Sequence, residues 1–473
     1  MEKKLSRRNF LRFAGLAGGA AALTACQPQV VTQVVTVKET QVVKETQVVK
    51  ETQVVEKVVQ PTAAPTKAVK KVVVRYMCPT WCSTADTRVE RQVAFRSVID
   101  SFNQTYASKG MSVQEIPFDG DAVQLTQQIE QKKVDAIWFN FSEYVTRSRN
   151  KQLLAIDAML GDEIKQFFPF VQDTLKSSDD KKIYALWHNT DTPLYYYNKA
   201  KIPTPPTKWS EVIKICQDVR KTEGGKKYAF VHPYNGWMQM NSGMFLALGG
   251  VYLDKDNKPV ALEGKNLDIW KEMFDYYIRL IKEDLIPASA VNQDQQQMMP
   301  DVYAGNVYSF AGNSNYHVRQ LKPNLKADDY KNWDAKPLPY PDKASKGIYQ
   351  AGGWMIGAVA TADPDVAAAA AQWVIHATNE ASQSVTNKAG AWIPTRTAIL
   401  ANDAFYKTDP FMQTTLKALE NGHVVPLDPI WAPMSGAIQT ALSNAVTGKK
   451  SVDEALKEAA ATTMKEYEAL KKK

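Results

Sequence analysis

Cysteine is scarce in this chain: four residues in 473, at positions 26, 78, 82 and 216. Four cannot staple a fold of this length, so apolar cores must hold it together. Histidine is almost as rare, with five residues (188, 232, 317, 376 and 423), and no two have the spacing of metal ligands. Cys78 and Cys82 form a C-x-x-x-C pair with no second pair, a poor zinc signature. A phosphate-binding P-loop, a G-x-S-x-G elbow, an H-E-x-x-H helix and a dinucleotide fingerprint are all missing. One enzyme class survives on sequence, glycoside hydrolysis by two converging carboxylates, and nothing positive favours it. No enzyme activity, cofactor or metal is expected. Charge of one sign is also lacking, since 58 basic residues face 50 acidic ones and the net is +8. Half of that excess lies in the first twelve residues, where Lys3, Lys4, Arg7, Arg8 and Arg12 face Glu2. The remainder is too small and too dispersed for a nucleic-acid partner.

What is present begins with an address. Ser6-Arg7-Arg8-Asn9-Phe10-Leu11-Arg12 carries the paired arginines of a twin-arginine signal. The Ala/Gly/Leu run at 13–23 is too short for a permanent membrane span. Leu23-Thr24-Ala25-Cys26 resembles a bacterial lipobox, in which Cys26 is acylated. Residues 1–25 are therefore expected to be a signal peptide. The mature protein would be lipid-anchored to the outer face of the cell membrane, in the periplasm or at the cell surface. KETQVV then recurs three times, at 38–43, 44–49 and 50–55. A six-residue period turns a helix by about 240°, so no fixed apolar stripe forms. The segment 26–70 is read as a tether, with strand pairing or a coiled coil between chains as the alternative.

The remaining chain, about 400 residues, exceeds what one core usually holds, so two lobes are expected. Strands at 72–76, 111–116 and 134–139 alternate with helices at 88–108, 122–131 and 143–150, the pattern of a parallel sheet flanked by helices. Val93, Ser97, Ile99, Asp100 and Phe102 are spaced for the buried face of the first helix. Cys78 and Cys82 flank a turn-prone Pro79-Thr80-Trp81, and a bridge and two free thiols are both open; Cys216 reads as core. A hairpin is expected over 248–262, turning at Asp256-Asn257, and a helix over 270–282. A strand is expected over 303–310 and another opening at Gly352-Gly353-Trp354. Asp363-Pro364 and Ser451-x-x-Glu454 mark two helix starts. Val452, Leu456, Ala460, Met464 and Tyr467 are spaced for the inner face of the last helix.

Residues 182–212, KIYALWHNTDTPLYYYNKAKIPTPPTKWSEV, carry the most information. An apolar strand runs to Trp187, a polar pause spans 188–193, and a second strand covers 194–197. Pro193 suits the break. Tyr184-Ala185-Leu186, Tyr196-Tyr197-Asn198-Lys199, Pro205-Pro206, Trp209 and Glu211 resemble the extracellular solute-binding proteins of ABC importers, the maltose-binding-like group. Lys208 stands where that group usually has a capping Thr, which leaves Thr207 to cap one residue early. VDAIWFN and KQLLAID (134–140, 151–157) and VDEALKEA (452–459) extend the likeness over about 72–473.

The resemblance implies an α/β fold of the periplasmic-binding type II class, each lobe a mixed, mostly parallel sheet flanked by helices, with a ligand cleft between. Lobe 1 would comprise 71–189 and 341–378, and lobe 2 190–340 and 379–473. The crossings would lie near Asp191, at 336–340 and at 379–391. It further implies a monomer that captures an extracellular carbohydrate, an oligosaccharide, and hands it to an ABC permease. The alternative is a polyamine, phosphate ester or ferric iron on the same fold; for iron, only Tyr195 and Tyr197 share a strand face. Sugar rings stack on aromatics and their hydroxyls want amide and carboxylate partners. The candidate ligand-binding residues are Trp81, Asn140, Asp191, Trp237, Asn313, Trp354 and Trp431. Trp209, Trp270, Trp333 and Trp373 are assigned to the cores.

Overall fold

The alternating valines after residue 71 form β1 (Val72–Pro79), which is buried throughout from Tyr76 onward. The structure, a computed structural model, describes residues 69–177 and 179–472. The export signal, Cys26 and the KETQVV repeats lie outside the described residues. Helix α1 (Val89–Thr105) covers the sheet with Ala94, Phe95, Val98, Ile99 and Phe102. That stripe is rotated by about a residue from the expected one, and Val93 faces solvent. Then follow β2 (Met111–Phe118), α2 (Ala122–Glu130), β3 (Ala136–Asn140) and α3 (Tyr144–Arg149). β1 pairs in parallel with both β2 and β3.

The polar pause is shorter than expected. β4 (Leu186–Asp191) continues through His188, Asn189 and Thr190, and only Thr192 separates it from β5 (Pro193–Asn198). Those polar side chains stay buried because they find partners: His188 Nε2 lies 3.0 Å from Thr386 Oγ1, and Thr190 Oγ1 donates to the Gly352 carbonyl at 2.8 Å. Pro193 opens β5, a place where its missing N–H costs no ladder bond.

α4 (Trp209–Thr222) starts without a Thr cap; the Glu211 carboxylate instead accepts from the Thr207 and Lys208 N–H groups. α5 (Trp237–Ala247) and α6 (Lys265–Lys282) follow. The hairpin expected between them shrinks to one bridge, Leu253 to Pro259, around an Asp254 turn. β6 (Ser309–Asn313) and β7 (Trp333–Pro337) flank β5. Both pair with it antiparallel, so the smaller sheet departs from the mostly parallel pattern expected of each lobe.

β8 (Tyr349–Gln350) leads into β9 (Gly352–Ala358), then α7 (Pro364–Ala377), α8 (Glu380–Gly390) and β10 (Ile393–Pro394). Asp363 caps α7 as expected, its carboxylate accepting from Asp365 N–H at 2.9 Å. α9 (Pro410–Leu419), β11 (Gly422–His423), α10 (Trp431–Val446) and α11 (Val452–Lys471) complete the chain. Ser451 and Glu454 close the expected capping box of α11, whose buried face is Ala455, Leu456, Ala459 and Thr463, with Val452, Ala460, Met464 and Tyr467 at its margins.

The larger sheet has the order β10-β4-β9-β3-β1-β2, and the smaller ones are β6-β5-β7 and β8-β11. β10 pairs antiparallel with β4, and α8 packs on α1, so 380–394 belongs with the larger sheet. The crossing expected at 379–391 therefore comes later, after Pro394. β8 in turn packs on α5 and pairs with β11, so 349–350, placed with lobe 1 on sequence, sits with the second lobe. Cys78, Cys82 and Cys216 are all buried free thiols.

Candidate functional site

Between the ends of the two sheets is a cleft of about 400 Å³. On one side β3 ends at Asn140, whose Oδ1 accepts from the N–H (3.1 Å) and hydroxyl (2.7 Å) of Ser142. That closes a tight turn and presents Asn140, Phe141 and Ser142 to the cleft. Phe141 is backed by Trp187, stacked at 5.4 Å. Beside them β4 delivers Asp191, and β9 delivers Gly352, Gly353 and Trp354. On the other side stand Met238 and Gln239 of α5, Asn313 at the end of β6, Gln350, and Trp431 and Ser435 on one face of α10.

Asp191 is the single charged group among these, and it is 8% exposed. Among the described residues its carboxylate accepts no hydrogen bond and meets no cation. Burial alone lifts it from 3.8 to about 6. Among the described residues, the cleft thus holds a carboxylate without a protein partner. Amide and hydroxyl groups surround it, and Gln239 Nε2 reaches Asn313 Oδ1 at 3.4 Å.

Trp354 is held from behind. The Trp81 ring meets it edge-on at 4.7 Å, and Trp392 lies 6.0 Å beyond Trp81. Arg91, 2% exposed, stacks over Trp392 at 4.3 Å and donates to the carbonyls of Trp81 (3.0 Å) and Gly390 (2.9 Å). Burial, with Arg88 nearby, pushes this guanidinium down to about 9.

Five of the seven residues singled out on sequence line the cleft: Asn140, Asp191, Asn313, Trp354 and Trp431. Trp81 supports Trp354 instead of lining the cavity. Trp237 is a core residue, packed 5.9 Å from Phe274 and 6.2 Å from Tyr277. Successive helical residues diverge by about 100°, so Met238 and Gln239 face the cleft while Trp237 turns inward. Phe141, Ser142, Met238, Gln239, Gln350 and Ser435 went unread, and Gly352 and Gly353 were legible only as the opening of a strand. Ser435 had a signal, being one helical turn after Trp431, and Phe141-Ser142 directly follow Asn140 at a strand end.

Catalytic groups do not gather here. No histidine lines the cleft, and burial lowers all five, His188 to about 3 and His232, His317 and His423 to about 4. Among the described residues no cluster of His, Cys, Asp or Glu is arranged to hold a metal. Tyr195 and Tyr197 stack on each other inside the second lobe, away from the cleft.

The sequence profile for bacterial extracellular solute-binding proteins matches residues 88–384, more than half of the chain. The chain belongs to this family. It is thus one of an exported class of solute-binding proteins. No curated protein matches it in sequence. Solved structures share the fold at low identity. Maltose-bound MalE3 of T. maritima aligns with TM-score 0.69 and 18% identity, over 83% of this chain and 99% of that one. An ABC transporter solute-binding protein of Thermotoga lettingae, bound with alpha-D-tagatose, gives 0.68 and 19%, over 84% and 99%. The maltose/maltodextrin-binding domain MalE of Bdellovibrio bacteriovorus, bound to maltotriose, gives 0.69 and 14%, over 84% and 100%. These solute-binding proteins establish the two-lobe α/β architecture for the present one.

Proposed function

We propose that this solute-binding protein captures a neutral carbohydrate, an oligosaccharide, between its lobes and delivers it to an ABC permease without altering it chemically. The observation that carries this reading is the cleft lining. One partnerless carboxylate, Asp191, lies with Trp354 and Trp431 among neutral amides and hydroxyls. Hydroxyls can donate to Asp191, indoles can cover the apolar ring faces, and Asn140, Gln239, Asn313 and Gln350 supply further partners. The absence of any Lys or Arg from that lining weighs against phosphate esters. The lack of a ligand cluster among the described residues weighs against ferric iron. The related structures bound to maltose, maltotriose and tagatose agree with a saccharide. A polyamine is the second reading, because the lone carboxylate also suits an ammonium group.

The test is a thermal-shift screen of the full chain against mono- and oligosaccharides, polyamines, phosphate esters and ferric iron. A ligand at 100 times its Kd stabilises the protein by about 2.7 kcal/mol, which such a screen resolves. A shift with spermidine and none with any saccharide would replace the first reading by the second. Hydrolysis of a stabilising sugar would instead make the protein an enzyme.

The proposal extends to the membrane. Cys26 carries the lipid and 26–70 is the tether, so a monomeric body samples ligand near its permease. Cys26→Ala is expected to release the protein from the membrane fraction. A variant that stays as membrane-bound as wild type contradicts the anchor.

A further inference from the structure

The Gln350 carboxamide, one of the polar groups in the cleft, is held from behind by two residues that do not line it. Ser242 lies on α5 one helical turn beyond Met238 and Gln239, and so behind the face those residues present. Its Oγ is 3.0 Å from Gln350 Oε1 and 3.3 Å from His423 Nε2. His423 stands opposite Gln350 in the β8–β11 pairing, and its Nδ1 lies 3.2 Å from the Val424 carbonyl. The Tyr252 hydroxyl donates to the Ser242 carbonyl at 2.8 Å, which holds this turn of α5 in place.

Three contacts here share two protons. Gln350 Oε1 carries none, so the Ser242 hydroxyl must donate to it. Ser242 Oγ then offers His423 only lone pairs, and Nε2 must bring its own proton. Burial pushes His423 down to about 4, so at pH 7 the ring is neutral and has one proton to give. The contact left without a proton is the one between Nδ1 and the Val424 carbonyl. His423 and Val424 are partly exposed, so water can serve both groups, whereas Ser242 and Gln350 are buried.

This direction of donation matters at the other end of the amide. With Oε1 turned to Ser242, Gln350 Nε2 faces the space over Gly352. A Cβ added at Gly352 would lie 3.8 Å from that nitrogen and 3.1 Å from Asp191 Oδ1, so amide and carboxylate border one spot. A hydroxyl placed there donates to Asp191 and accepts from Gln350. An ammonium has no lone pair for Gln350 and would set N–H against N–H. The reversed amide would put two acceptors side by side, which suits an ammonium instead.

We infer that His423 is a positioning residue for the ligand, acting through Ser242 to turn the N–H end of Gln350 toward the space beside Asp191. The relay makes that spot selective for a hydroxyl over an ammonium. It rests on the carbohydrate reading above and names the element that separates a sugar from a polyamine.

Two measurements on the full chain test this. Nitrogen NMR of isotope-labelled histidine at pH 7 reads the tautomer, with His423→Gln identifying the His423 signals. The expected form carries its proton on Nε2. A proton on Nδ1 overturns the relay, because Ser242 would then donate to His423 and the amide would turn its carbonyl to Asp191. Calorimetry with maltotriose and with spermidine compares wild type, His423→Gln and His423→Leu. A Gln side chain can still offer an N–H to Ser242, and a Leu side chain cannot. His423→Leu is expected to bind maltotriose tenfold or more weakly than wild type, and His423→Gln to recover most of that loss. Equal affinities in all three proteins, or equal losses in both variants, overturn the relay and leave sugar binding intact. Binding of spermidine and not of maltotriose removes the carbohydrate reading and this inference together. With neither probe bound, the tautomer decides alone.

Discussion

Asp191 sits where stability and binding pull in opposite directions. Its buried carboxyl is raised from 3.8 to about 6. An acid whose folded pKa is raised binds more protons in the native state, so stability falls as pH rises from about 4 to about 6. Above that range the full cost is present, about 3 kcal/mol at most. Asp191→Asn is therefore expected to raise the ligand-free Tm at pH 7.5, by a margin that closes below pH 4. The same variant should bind its ligand tenfold or more weakly, since hydrogen bonds to a charged group contribute about 1.5–3 kcal/mol. Thermal melts across pH and calorimetry check both halves. An unchanged affinity would mean that the ligand does not touch the carboxylate. The tryptophans divide in the same way. Trp354→Ala is expected to lose about 1–3 kcal/mol of binding. Trp237→Ala, deep in the second lobe, should instead lose about 3–5 kcal/mol of stability and little affinity in the molecules that remain folded. Nothing local in Asn235-Gly236-Trp237 separated these outcomes, because the direction an indole points is decided by how its helix packs.

At the scale of elements, β9 opens on the tightest backbone contact of the cleft. Gly353 has φ +145, and a Cβ there would overlap the Asn189 carbonyl and the Trp187 indole nitrogen. At Gly352 the nearest neighbour of an added Cβ would be Asp191 Oδ1, at 3.1 Å. Gly353→Ala is accordingly expected to cost more than about 2 kcal/mol of stability. Gly352→Ala should fold and show its effect in ligand affinity; equal melts for the two variants would contradict the contact. Elements of this kind explain what the sequence could disclose. Asp363-Pro364 and Ser451-x-x-Glu454 announce their helices because a cap is a local hydrogen bond. The expected hairpin at 248–262 shrank to one bridge because the Asn266 side chain, at the start of α6, takes backbone groups of Val251 and Val260 that a longer ladder would pair. The extra length of β4 was hidden too, since the partners that let His188 and Thr190 stay buried lie some 160 to 200 residues away. Lobe membership of 380–394 was unreadable for the same reason: β10 joins β4, a pairing no spacing rule reports.

At the scale of the molecule, two crossings leave the larger sheet side by side, with Asp191 opposite Gly352 in the β4–β9 ladder. A third passes after Pro394, where Ala391, Ile393, Ile399, Tyr406 and Met412 form a small apolar cluster. Such a joint permits rotation of one lobe against the other more readily than sliding. Small-angle scattering is expected to show a smaller radius of gyration at saturating ligand. An unchanged radius would mean that the cleft accepts its ligand without closing. The indoles behind the cleft have one more consequence. Trp354 lines the cleft, and Trp81 and Trp392 follow it at 4.7 and 6.0 Å. Rings that close share their electronic excitation, so whatever settles on Trp354 perturbs the ultraviolet emission and circular dichroism of the whole set. If the proposed site holds, the protein carries, without any attached dye, an optical gauge of its own occupancy.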